Sequence, residues 1–175
     1  MTDLHAWIAE TYDGLADLLE ATPSAWDAQT LCERWQVRHL VAHVTMPVRL
    51  RPEQFGQEMA AAGGDFGVLS DTVALRDGDL PHAELLAALR DPALHAWEPP
   101  GGGENGALSH AVIHSLDVTL PLDLPPVAPE EAVRTLVDLL RASDGAWFGV
   151  PPSDDRLPGA TPPEQVAVLA GRSLG

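Results

Sequence analysis

The 175-residue chain has no lysine: all ten of its basic residues are arginine, against 26 acidic ones, for a net charge of −16. Nucleic-acid binding relies on clustered cations that displace counterions, so so acidic a chain is excluded as a nucleic-acid binder. Anionic membrane surfaces are excluded as partners for the same reason. Cysteine is nearly absent too. The lone Cys32 has no partner for an intrachain disulfide, which points to a reducing, cytoplasmic compartment. No apolar run is long enough to span a bilayer. The opening "MTDLHAWIAETYDG" carries acids where a signal peptide would begin with bases, so export is not expected. Alternating apolar and polar stretches convincing as strands are missing as well.

What remains is helical. The length suits a single domain, 1–175, with a real core. Leu4, Trp7, Ile8, Leu15, Leu18 and Leu19 recur at helical spacing, and "TPS" stops that helix. A loop, "SAWDAQTLCERW", leads to a second helix from near Gln36, with Val37, Leu40, Val41, Val44 and Val48 as its stripe. Pro47 should kink or loosen it, with helix resuming through Met59 to Ala62. Residues 63–81 read as irregular. A short helix is expected over Pro81–Arg90, and another over Glu104–Leu120 after the loop "WEPPGGGENG". Pro129 opens a further helix, with Glu130 and Glu131 at its positive end, and Pro163–Ala170 supplies the last. The expected fold class is all-α: an antiparallel four-helix bundle with long connections.

The chemistry concentrates in histidines. His110 and His114 are spaced i, i+4, so on a helix they share a face and can share a metal ion. Asp117, one turn on, can orient a ligand histidine through its other ring nitrogen. Ala111 follows His110, so the glutamate of a metalloprotease H-E-x-x-H helix is absent. A third ligand must come from elsewhere. His43 lies about 120° from the middle of its helix's apolar stripe and His39 about 160°, which favours His43. The pair itself lies opposite Leu108, Val112 and Thr119. On pattern alone that face reads equally well as a solvated stripe.

Other residues carry weaker signals. Arg34, Arg38, Arg49 and Arg51 gather four of the ten bases near the second helix. Arg38 and Arg49 are candidates for holding an anionic substrate, a solvated helix face being the plainer alternative. Cys32 reads as a small buried residue beside Trp35 rather than a nucleophile. Glu104 and Asn105 serve either capping or the ligand surroundings. No side chain stands out as a catalytic base, and a homodimer is neither required nor excluded.

Two segments carry a resemblance. "WDAQTLCERWQVRHLVAHV" is similar to the first signature of the mycothiol-dependent maleylpyruvate isomerase family, through Trp26, Cys32, Trp35, Val37, Leu40, Val41, Ala42 and His43. "HAVIHSLDV" is similar to the second, through His110, His114 and Asp117, and "GATPPEQVAVLAGR" resembles the ending of single-domain relatives. The resemblance covers most of residues 1–172. It implies a DinB-like four-helix bundle with a divalent metal, zinc by preference and nickel or another by alternative, on His43, His110 and His114. It also implies mycothiol or a similar small thiol as cofactor and a small electrophile as substrate, hence a transferase or isomerase. The rival function is a non-catalytic metal or small-ligand binding or regulatory protein; a side chain such as Met46 or Trp35 plugging the metal's open side would favour it. Three departures bear on the isomerase reaction. His110 stands where the isomerase itself has Glu, His39 stands at an often acidic position, and the family's separate C-terminal domain has no room here.

Overall fold

The computed structural model describes residues 3–174. Among these the protein is all-α, and the one piece of strand-like pairing is an isolated bridge between Gln29 and Gln36. Helix α1 spans Leu4–Ala21, with the Asp3 side chain accepting a hydrogen bond from the Ala6 N–H at its start. Its stripe of Ile8, Tyr12, Leu15 and Leu19 is buried as the periodicity predicts. A short 3₁₀ segment, Pro23–Asp27, buries Trp26, which stacks on His82.

Helix α2 runs Val37–Arg49 and α3 Pro52–Ala61. Pro47 falls in the last turn of α2, so the helix survives it and ends two residues later. The helix then resumes at Pro52, earlier than the sequence pattern suggests. Helix α4, Phe66–Asp77, corrects the reading of 63–81 as irregular. Its N-terminus is closed by Asp65, whose carboxylate accepts from the Gly67 and Val68 N–H groups at 2.8 and 3.2 Å. Leu69, Val73 and Ala74 face inward while Phe66, Val68 and Leu75 are exposed. Apolar residues on both faces erase the periodic contrast that would mark the helix.

Helices α5 (His82–Leu89), α6 (Pro92–His95), α7 (Gly103–Thr119), α8 (Glu130–Ala142) and α9 (Pro162–Leu169) complete the chain. Helix α7 is the axis of the bundle. It packs against α1, α2, α8 and α9, and its residues from Ala107 to Thr119 are buried apart from His110 and His114, which are half-buried. One apolar core runs from Ile8 to Ala170 and includes Leu108, Val112 and Leu116 of α7. No described helix is long and apolar enough to cross a membrane.

Candidate metal centre

Helices α2 and α7 bring three imidazoles together. One ring nitrogen from each of His43, His110 and His114 lies within 4.8 Å of the other two. The ring centroids form a near-equilateral triangle of 5.3, 5.1 and 4.9 Å. The Nε2 atoms of His43 and His110 are 3.4 Å apart. The face of α7 that the helical wheel left as solvated therefore points at α2, one of the four helices packed around α7.

The far sides of the rings are held by protein groups. Asp117 Oδ2 lies 3.0 Å from His114 Nδ1. An ionised carboxylate only accepts, so the His114 proton sits on Nδ1 and the Nε2 lone pair is free. Tyr12 Oη lies 3.0 Å from His110 Nδ1. Trp35 and Trp97 pack against His43 and His110, with centroids 4.7 and 5.5 Å away. His43 Nδ1 is buried with no hydrogen-bond partner. In the tautomer that carries each ring proton on Nδ1, two imidazole nitrogens face each other with a third ring aimed at them, and three lone pairs meet. A cation satisfies all of them at once, so the donor set fits a divalent metal.

Asp117 is the anchor behind this arrangement. It is 1% exposed and also receives Arg172 Nε and Nη2 at 2.8 and 2.9 Å and the Cys32 thiol at 3.3 Å. Burial alone would raise its pKa, but the hydrogen bonds from His114 and Arg172 outweigh burial and hold it at about 2. Burial, reinforced by Asp117, pushes the Cys32 thiol up to about 12, which makes it a poor nucleophile. Cys32, His114 and Asp117 also lie within metal-sharing distance of one another. There the carboxylate is already occupied by Arg172 and the thiol keeps its proton, so the three histidines are the better donor set. His5, Glu98 and Glu104 form a further such group, more exposed.

Burial holds His43 and His110 neutral, His43 with a pKa of about 3 and His110 well below the ordinary range. The unfolded chain takes up these protons near pH 6.5 and the folded chain does not. Their stabilisation is therefore complete above about pH 6.5 and drains away as pH falls toward the folded values. At pH 4.5 the His43 ring alone costs about 3 kcal/mol, or about 6–12 °C in Tm for a chain of this size. Thermal melts of chelator-treated protein between pH 7 and 4.5, compared with His43→Leu, should show that difference. Equal acid sensitivity in the two proteins would mean the ring is solvated.

The remaining sequence candidates fall elsewhere. His39 Nδ1 accepts from the Gln36 N–H at 3.2 Å, closing the start of its own helix. The Arg49 guanidinium is buried on Asp77 at 2.7 Å, the Thr45 hydroxyl and the Ala42 carbonyl. Arg38 faces Asp27 and Asp79 at 3.4 and 3.8 Å. Neither Arg38 nor Arg49 lines the cavity that opens on the imidazoles. That cavity measures about 500 Å³ and is lined by all three histidines, Ser109, Arg172 and a set of apolar side chains. Neither Met46 nor Trp35 lines it. A larger recess of about 820 Å³, between residues 29–35 and the tail, touches only His114 of the three. Tyr12 and Arg172, which contact His110 and Asp117, are the neighbours of the cluster that sequence reading missed. Tyr12 sits within an apolar stripe and reads as core; Arg172 follows the last helix, where no periodicity gives it a direction.

The family model of the mycothiol maleylpyruvate isomerase N-terminal domain matches residues 8–120, more than half of the chain. The chain belongs to that family. No curated protein and no solved structure matches it. The segment shared with the mycothiol maleylpyruvate isomerase N-terminal domain contains Tyr12, His43, His110, His114 and Asp117. Arg172 lies beyond it, so one of the groups that holds Asp117 is contributed by the part of this chain outside the family match.

Proposed function

We propose that His43, His110 and His114 hold one divalent metal ion, zinc being the ion their chemistry suits best. We further propose that the protein acts in the cytoplasm as a thiol-dependent transferase or isomerase, joining mycothiol or a similar small thiol to an electrophile. The observation that carries this reading is the convergence of three imidazoles on an open cavity, within a family named for mycothiol. When bound, such an ion supplies a 2+ charge that acidifies a thiol beside it.

The chain's own residues do the rest. Asp117 fixes the His114 proton on Nδ1 and so aims its Nε2 lone pair inward. The Tyr12 hydroxyl, 3.0 Å from His110 Nδ1, restrains the orientation of that ring. Burial keeps His43 and His110 neutral, the form in which an imidazole can ligate. The cavity's apolar walls lower the local dielectric, which strengthens charge interactions beside them. Its size supports the catalytic reading over a purely structural metal, which would need no such space.

Isothermal titration of mycothiol or cysteine into zinc-loaded and chelator-treated protein tests the reading. Binding should be about tenfold tighter or more with the metal. Equal affinity in the two forms would sink the thiol role and leave a non-catalytic metal protein.

A further inference from the structure

The cavity before the three imidazoles has two unlike ends. Its floor is the histidines and Arg172; its rim is aromatic. Phe66, Trp147 and Phe148 stand 49%, 43% and 42% exposed, and all three line the same cavity. They come from chain segments about eighty residues apart, the start of α4 and the turn after α8. One wall is Pro99 laid against Gly102 and Gly106, where a Cβ on either glycine would come within 2.8 Å of the proline ring. Large aromatics left in water around one cavity mouth mark a ligand site rather than chance exposure.

Charge narrows the ligand further. Arg172 is the one arginine in the lining among the described residues. Its Nε and Nη2 are on Asp117, and its Nη1 donates to the Ala170 carbonyl at 3.2 Å. Three of the five guanidinium N–H donors are thus taken and the charge is already paired with Asp117, so a carboxylate finds no unpaired arginine in this lining. The chain as a whole is at −16, which repels polyanions.

Building on the metal and thiol reading above, we propose that the electrophile taken by this site is uncharged and carries an aryl or similarly flat apolar group. That group sits among Phe66, Trp147 and Phe148, with the polar reactive end toward the imidazoles. Flat faces suit a ring packed edge-on or offset against them, and the volume of about 500 Å³ accommodates a small aryl compound.

The test uses binding alone, on the full chain with chelator present throughout. The probes are 4-phenylbutan-2-one, an uncharged aryl ketone that does not react with thiols, and maleate, a dicarboxylate. Affinities come from titration calorimetry and from tryptophan fluorescence. The ketone should bind at least about tenfold more tightly than maleate. Trp147→Ala and Phe148→Ala should each weaken the ketone by about three- to tenfold, and Trp147→Phe should restore most of the loss. Both residues are exposed, so circular dichroism should be unchanged in the variants. Maleate binding as tightly as the ketone, no binding of either, or aromatic variants with unchanged ketone affinity would each overturn the proposal. Because no metal is present, failure of metal-dependent thiol binding would sink the earlier reading without touching this result.

Discussion

Protein purified without chelator should carry about one divalent ion per chain, and His110→Ala or His114→Ala should each remove most of it. The geometry gives the reason. The three ring nitrogens lie within 4.8 Å of one another, so each supplies one of three ligands to a common point. Two imidazoles on an otherwise apolar surface hold a zinc-type ion poorly. Loss of a single outer hydrogen bond to a ligand typically costs 10–100-fold in affinity, so loss of the ligand itself should cost at least about 100-fold. His43→Ala should behave like the other two. His39→Ala should leave the metal in place, because that ring closes the start of α2 and does not reach the cluster. Elemental analysis of the variants and competition with a chromophoric chelator read the outcome. An ion still bound at full occupancy in the His110→Ala/His114→Ala double variant would show that the cluster is not the metal site.

The convergence of the three imidazoles was partly legible in the residues. The apolar stripes of α1, α2 and α8 fixed their inward faces, and the helical wheel preferred His43 to His39. Spacing alone placed His110, His114 and Asp117 on one face of α7. What it could not give was where that face points. An amphipathic helix advertises its inside, but α7 is surrounded by α1, α2, α8 and α9, so polar and apolar residues alike are buried. Enclosure turns an apparent solvated stripe into the centre of the molecule. Helix α4 failed for the opposite reason: Phe66, Val68 and Leu75 put apolar groups on its outer face and hid the inner one. Phe66, the first of these, lines the cavity instead of the core.

The arginines show the other limit of a one-dimensional reading. Arg49 and Arg38 lie near His43 in sequence, and proximity in sequence suggested a shared pocket. Yet a buried guanidinium goes where a carboxylate waits, and for Arg49 that carboxylate is Asp77, 28 residues on. The cavity's arginine is instead Arg172, reached across 55 residues from Asp117. Long-range ion pairs leave no periodic trace, so composition could count these charges without assigning them.

Asp117→Ala should be the most destabilising single change at this centre, and it should weaken metal binding as well. The carboxylate is 1% exposed and receives Arg172 through two nitrogens, His114 Nδ1 at 3.0 Å and the Cys32 thiol at 3.3 Å. Truncation strands the largely buried Arg172 cation, whose side chain is 21% exposed, and leaves the His114 ring without a partner. Breaking a buried pair from one side costs about 3–5 kcal/mol, or about 6–20 °C in Tm for a chain of this length. Metal affinity should also fall about 10–100-fold, because nothing then holds the His114 lone pair in line. Arg172→Leu should destabilise by less than Asp117→Ala, since the carboxylate keeps His114 and the thiol. The Asp117→Ala/Arg172→Leu double variant is the decisive measurement. It removes the stranded charge together with its partner, so it should be more stable than Asp117→Ala alone while still binding metal weakly. That split separates the two roles: stability follows the pairing of charge, metal affinity follows the orientation of His114. Additive losses in the double-mutant cycle, to within about 0.5 kcal/mol, would show that Arg172 and Asp117 act independently, and Arg172 would then have no part in holding the centre.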